Sequence, residues 1–491
     1  MLKRKVHFYL LPFILSIAYT VGLGFWDYFL RLKDIPIFVA IIIFSTYFFI
    51  LLKQCRNISF KNISFFILIA LILYISTSTG LLQGHMSLGV IASAFQTNKN
   101  EAFEFLSVIS VKYLIFSLGL LFLTIYYLYF YKLESRLNFS KFFIIILLLL
   151  NVISVFFIQT VDALKRYKKE EKELMKDNKG FVDWKIKKVV PKYDNQIIII
   201  GESVPREYLS LYGFKEKTTP FLDNAPVKFI DHYVSAAPNT ATSLVRTLAY
   251  MDENHDIDIK KNVVTLANQS GYNTIWISNQ GFLGKNDTAV SKIAIHADHK
   301  FFLKSGNYRS KNTDDEVLLK ILDTQLSKYK DKKNVIFVHM MGSHPDACER
   351  LFNQPKLYPQ YSNNINCYLS SLNKLDHFMQ QVYAQMKSSK KSFNIIYFSD
   401  HGMSVDDLGY YVDNKNKMNY DAPFIMMGSD ITKKEEVKKM VSAYDFLNIY
   451  GDQLGVKSSY LNAKRNLKDI PTNTVVKVFN WENYIPYDTL K

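Results

Sequence analysis

Five N-terminal transmembrane helices followed by an α/β domain, a mostly parallel sheet sandwiched by helices, is the fold class that this 491-residue sequence predicts. Three observations carry it. Residues 1–161 are almost continuous apolar runs, although hydrophobic residues make up only 49% of the whole. Lys and Arg collect in alternate gaps between those runs. Beyond residue 194, short apolar stretches alternate with helix-like ones, the pattern of a sheet covered on both faces.

The apolar runs lie near 7–27, 36–52, 64–82, 109–131 and 140–161. Each approaches the roughly 20 helical residues that a hydrocarbon layer of about 30 Å requires. The first is too closely followed by others to be only a cleaved leader. Lys3, Arg4, Lys5, Lys53, Arg56, Lys61, Lys132, Arg136 and Lys141 fall on one side of the predicted membrane, against Arg31, Lys33 and Lys99 on the other. That bias predicts a cytoplasmic N-terminus and, after five crossings, a periplasmic C-terminal domain. Residues 162–193 are highly charged and read as a helix-forming linker on the membrane surface, touching lipid headgroups or simply solvated. The domains are therefore expected at 1–161, 162–193 and 194–491.

The net charge of +16 suits an anionic membrane surface, and equally a chain rich in Lys, Asn and Ile throughout. With no basic helix and no aromatic–basic module, nucleic acid is set aside as a partner. Of the three cysteines, Cys55 sits at the cytoplasmic end of a predicted span and is expected reduced. Cys348 and Cys367 share the exported domain, where a disulfide persists. A bridge closing that short loop would contribute roughly 3 kcal/mol; the sequence leaves bridge and free thiols equally open.

Predicted strands are QIIII (196–200), NTIWIS (273–278), NVIFVH (334–339), NIIYFS (394–399) and PFIMM (423–427), with helical patterns such as CYLSSLNKLDHFMQQVYAQMK between them. In such sheets the working residues gather at the carboxyl ends of strands. QIIII runs into Gly201, Glu202 and Ser203. NIIYFS runs into Asp400 and His401, and NVIFVH ends at His339 with His344 shortly after. Acids and histidines on one rim are what zinc needs, since it takes imidazole nitrogen and carboxylate oxygen. In SAAPNTATSLVRTLAY (235–250), Thr240 stands near a helix start. It reads as an ordinary cap, or as a phosphoryl-transfer nucleophile whose adduct the helix amides stabilise.

GESVPREYLSLYGFKEKTTPFLDN, PNTATSL, GYNTIWISNQ and FSDHG occur in an order and spacing that resemble the membrane-bound phosphoethanolamine transferases of the alkaline phosphatase and sulfatase superfamily. That group includes the lipid A-modifying enzymes behind polymyxin and colistin resistance. The resemblance spans nearly the whole chain. It implies an inner-membrane, multi-pass, monomeric enzyme with one zinc ion, and leaves a second zinc open. Glu202, Thr240, Asp400 and His401 match the zinc ligands, with Thr240 also the nucleophile and Ser203 its non-reacting neighbour. The implied donor is phosphatidylethanolamine, and the implied acceptor a lipopolysaccharide, lipid A or another envelope glycan.

SAFQTNKNEAFEFL (93–106) resembles the family loop that helps bind ethanolamine, with Thr97 and Glu101 at matching positions and Ser93 where Asn is frequent. Glu101 reads equally as a helix cap. His344 resembles a substrate-side histidine, and His339 is either a proton or phosphate partner or a structural residue. The chain departs from the lipid A-modifying pattern after DHG, with Met403 and no later histidine. Asp406, Asp407 and Asp413 compensate or are surface residues. The alternative activity is that of a phosphoglycerol transferase, or another metal-dependent hydrolase of the same superfamily. A sulfatase proper needs Cys or Ser where Thr240 stands.

Overall fold

The computed structural model describes residues 2–30, 32–96, 102, 106, 109, 111–132, 136–174, 182–280, 289–303, 313–407, 409–471 and 475–491. The chain divides into two compact units, Met1–Ile91 with Ile109–Lys168, and Ala92–Val108 with Lys169–Lys491.

In the first unit, among the described residues, three helices are long and apolar enough to cross a membrane: Leu32–Gln54, Ile58–Ser76 and Val111–Phe130. The bent pair Lys141–Leu150 and Val152–Lys172 makes a fourth if it is one span. The predicted first segment yields a shorter apolar helix, Tyr9–Gly22. It stops because Gly24 adopts φ +92° and sits where an added Cβ would lie 2.0 Å from the Gly84 carbonyl oxygen, an approach open only to glycine.

The predicted 140–161 span bends by 52° around Asn151. Its Nδ2 donates to the Leu147 and Leu148 carbonyls, and its Oδ1 accepts from the Ile153 and Ser154 amides. Backbone groups freed in an apolar layer must be satisfied locally, and Asn151 does this for both half-helices. The second half-helix is Val152–Leu174, which takes in part of the charged stretch after residue 162.

The second unit is built on one sheet. Its strands are β1 (Asn195–Gly201), β2 (Lys228–Val234), β3 (Asn273–Ser278), β4 (His299–Phe302), β5 (Asn334–His339), β6 (Phe393–Ser399), β7 (Asp421–Ala422), β8 (Phe424–Gly428) and β9 (Glu435–Ser442). Their order is β7-β2-β8-β6-β1-β5-β3-β4, with β9 also on β2. From β6 through β4 every pairing is parallel. β8 runs antiparallel to both β6 and β2, and β7 antiparallel to β2. The sheet is thus mixed with a parallel centre, five of its eight pairings being parallel, which agrees with the mostly parallel expectation; β7 and β8 alone run against the rest. β8 follows β6 without an intervening long helix, and a parallel return needs such a crossover.

β1 is buried along its whole length. Ile198 and Ile200 pack with Trp276, Phe337 and Phe398 on one face, Ile197 and Ile199 with Leu322, Phe378 and Met379 on the other. Each fully buried isoleucine contributes roughly 1.5–3 kcal/mol, which explains a strand with no polar alternation. At the opposite end of the sheet Asn334 donates to Asn195 and Asn273 to Asn334, both at 2.9 Å. This amide ladder pins the register of three adjacent strands, so that their carboxyl ends finish level on one rim.

Candidate active site

Two helices complete the frame: α1 (Thr240–Leu248) and α2 (Asn363–Ser388). At the end of β1, a Cβ on Gly201 would lie 2.4 Å from the Tyr397 hydroxyl, so only glycine fits. Glu202 follows, 1% exposed. Ser203 then adopts φ +59°, a left-handed backbone that costs a non-glycine residue of order 1 kcal/mol or more. The turn directs the Ser203 amide to Asp400 Oδ1 (3.0 Å) and its hydroxyl to Glu202 Oε1 (2.7 Å).

β6 delivers Asp400 and His401 beside it. The ligand-type atoms of Glu202, Asp400 and His401 lie within 4.8 Å of one another, all buried. His401 Nε2 is 3.5 Å from Glu202 Oε1 and 3.4 Å from Asp400 Oδ2. His401 Nδ1 sits 2.7 Å from the Gly402 carbonyl, which accepts only, so Nδ1 carries the proton and Nε2 faces the carboxylates. Asp400 Oδ1 accepts the His401 amide (2.8 Å), whereas Oδ2 is buried with no hydrogen-bond partner.

Thr240 is the first residue of α1 and half-buried. Its Oγ1 is 3.1 Å from Glu202 Oε2 and 3.4 Å from His401 Nε2. Asn239 caps the helix, accepting from the Thr242 amide and hydroxyl. Asn239 Nδ2 also donates to Ser93 Oγ (3.2 Å), bringing the segment just before Thr97 to the start of α1. One turn further, Ser243 Oγ donates to the Asp400 carbonyl (2.6 Å), tying α1 to the end of β6.

Burial disfavours charge on His401, but the carboxylates of Asp400 and Glu202 outweigh it and push the imidazole up to about 9. Burial and the Glu202 charge push the Asp400 carboxyl up to about 7. Burial would raise Glu202 as well; the contact with His401 overrides it and holds that carboxyl well below the usual range. Without its proton on His401 the cluster is a buried dianion, and a buried charge of that kind calls for a cation. Two carboxylates, one imidazole nitrogen and a nearby hydroxyl form a donor set that suits zinc, and Asp400 Oδ2, buried without a hydrogen bond, offers a further ligand position. The residues fit a metal ion.

The structure therefore brings Glu202, Thr240, Asp400 and His401 together. Thr97 and Glu101 lie outside the described residues. His339, 4% exposed, packs edge-on to Trp276 and has Nδ1 3.3 Å from Ser278 Oγ. His344 is half-buried with Nδ1 2.7 Å from the Pro345 carbonyl. Among the described residues neither histidine joins the metal-capable group. Asp406 and Asp413 accept from the Gly409, Lys415 and Asn416 amides, as turn residues do. Cys348 and Cys367 form a disulfide.

Residues 194–456 match the family model described as Sulfatase, which is more than half of the chain. The chain belongs to the sulfatase family. Relatives of this sulfatase-family chain bear out the resemblance read from its motifs. It is 36% identical over 302 residues to phosphoethanolamine transferase OpgE of Escherichia coli (strain K12), covering 60% of this chain and 57% of that protein. Over 330 residues it is 24% identical to phosphoethanolamine transferase EptC of the same organism, again covering 60% and 57%. The chain thus spans under two thirds of the length of these curated relatives. In fold it is similar to the integral membrane protein lipooligosaccharide phosphoethanolamine transferase A (EptA) from Neisseria meningitidis, with TM-score 0.65, 14% identity, and 93% and 97% of the two chains covered. The periplasmic domain of E. coli EptC, solved in complex with Zn, aligns at TM-score 0.54 and 20% identity, covering 62% of this chain and 96% of that domain.

Proposed function

We propose that this sulfatase-family chain is a zinc-dependent phosphoethanolamine transferase of the bacterial inner membrane. It takes the group from phosphatidylethanolamine, carries it on Thr240 and passes it to lipopolysaccharide, lipid A or another envelope glycan. The observation that supports this reading most is the Thr240 hydroxyl at the first turn of α1, within 3.1–3.4 Å of Glu202 and His401. Relatives named phosphoethanolamine transferase agree with it. The chain crosses the membrane five times as a monomer, with the N-terminus in the cytoplasm and residues 194–491 in the periplasm.

Glu202, Asp400, His401 Nε2 and Thr240 Oγ1 would hold the zinc. When bound, it supplies a Lewis acid that lowers the hydroxyl pKa and offsets phosphoryl charge. In the first half-reaction Thr240 Oγ1 bonds to phosphorus while the bond from phosphorus to the diacylglycerol oxygen breaks. Thr240 gives up its proton and the departing diacylglycerol oxygen gains one, with His344 as the carrier between them. The first amides of α1 face the resulting phosphothreonine. In the second half-reaction an acceptor oxygen bonds to phosphorus, the bond to Thr240 breaks and Thr240 recovers a proton. Thr97 and Glu101 are proposed to bind the ethanolamine ammonium, and His339 the phosphate.

The test is diacylglycerol release from labelled phosphatidylethanolamine by membranes carrying the wild-type chain or Thr240→Ala. Release is expected with the wild type and absent in the variant. Consumption of phosphatidylglycerol with phosphatidylethanolamine untouched would favour the phosphoglycerol transferase reading instead.

A further inference from the structure

β3 delivers Ser278, Asn279 and Gln280 to the rim that holds Glu202. The first two serve local architecture. Ser278 Oγ bonds the Gln280 carbonyl, and Asn279 Nδ2 donates to the Thr313 carbonyl (2.7 Å) and Asp315 Oδ1 (2.8 Å). Gln280 is used differently. Its Nε2 carries two hydrogens, and both are committed, to Glu202 Oε2 at 2.8 Å and to the Met340 carbonyl at 2.7 Å.

That second acceptor is fixed. The Met340 amide donates to the Ile200 carbonyl at 3.0 Å, two residues before Glu202, so Met340 belongs to the β1–β5 frame. A primary amide is planar. Anchoring one N–H on Met340 therefore sets the direction of the other, toward Glu202. On the far side of the carboxylate, Oε1 accepts the Ser203 hydroxyl at 2.7 Å. Each oxygen thus has a donor holding it, and the remaining lone pairs face Thr240 and His401. The amide achieves this without positive charge, which a lysine or arginine would have set against the incoming cation.

We propose that Gln280 is a positioning residue: it locks the Glu202 carboxylate in the orientation that receives the metal and so sets the site's metal affinity. This rests on the metal reading of the Glu202–Asp400–His401 cluster. The experiment is competition for Zn²⁺ between a chromophoric chelator and the purified full-length protein in detergent, for the wild type, Gln280→Ala and Gln280→Met. Met preserves the length of the side chain and removes both donors. Zinc binding is expected to weaken by about 10–100-fold in both variants, the range seen when a ligand's outer partner is lost. The zinc-free variants should lose a few degrees of melting temperature, the cost of the hydrogen bonds given up at Glu202 and Met340, and stay folded at the temperature of the titration. Wild-type zinc affinity in Gln280→Met would overturn the proposal. So would zinc-free variants that are unfolded at the temperature of the titration, because Gln280 would then be a structural tie. A wild type that binds no zinc would remove the metal reading and this inference together.

Discussion

Ser203 and Thr240 both present a hydroxyl to Glu202, and their surroundings separate them. Ser203 is 2% exposed and bonded to Glu202 Oε1, with its backbone held in the left-handed region. Thr240 is half-buried at a helix start. Thr240→Ala is expected to remove turnover by a factor of about 10³ or more, whereas Thr240→Ser keeps a reacting oxygen and part of the rate. Ser203→Ala loses one hydrogen bond to a buried carboxylate, about 1.5–3 kcal/mol, and should slow the reaction without abolishing it. Steady-state diacylglycerol release measures all three. Gly201→Ala must displace the Tyr397 hydroxyl and is expected to cost about 1–3 kcal/mol of stability, read from urea midpoints. Glu202, Thr240, Asp400 and His401 were legible in the sequence because each stands at a strand end or helix start and is of a residue type that suits a metal or a nucleophile. Gln280 and Ser243 were not. An uncharged amide and a mid-helix serine carry no ionisable signature, and only the fold places them against Glu202 and Asp400.

Among the elements, the five strands predicted from unbroken apolar runs all form, since burial on both faces leaves a pattern that survives in sequence. β2 and β9 did not announce themselves. KFIDHYV carries its charge on half-buried positions and EEVKKMVS on exposed and half-buried ones, as strands away from the sheet centre do. The bend at Asn151 was likewise hidden inside an apolar run, where one asparagine bonds both half-helices. The disulfide between Cys348 and Cys367 joins the start of α2 to the segment that follows His344. Replacing both cysteines by serine is expected to lower stability by roughly 3 kcal/mol, from the loop that the bridge closes in the unfolded chain. Urea unfolding of the double variant, compared with the oxidised wild type, measures it.

For the whole molecule, burial sets a pH dependence. Asp376 accepts the Phe221 and Leu222 amides at 2.7 and 3.0 Å, and burial pushes its pKa up to about 6. Asp445, 2.8 Å from Arg465, is likewise pushed up to about 6 by burial. Both folded values exceed the unfolded value of about 3.9, so the folded state holds these protons more tightly. Their stabilisation is complete below about pH 4 and is lost as pH rises through 6, by on the order of 2 kcal/mol per group. Urea midpoints of Asp445→Asn should fall less steeply between pH 4 and 7 than those of the wild type; equal slopes would contradict this. The central claim is that Thr240 carries the transferred group. Its most direct test is mass spectrometry of the Thr240 peptide from full-length protein incubated with phosphatidylethanolamine and no acceptor. The account expects an added mass of about 123 Da on Thr240, the size of a phosphoethanolamine adduct, which an acceptor then discharges and Thr240→Ala never acquires. An unmodified Thr240 in an enzyme that turns over, or the same adduct on Ser203, would contradict it.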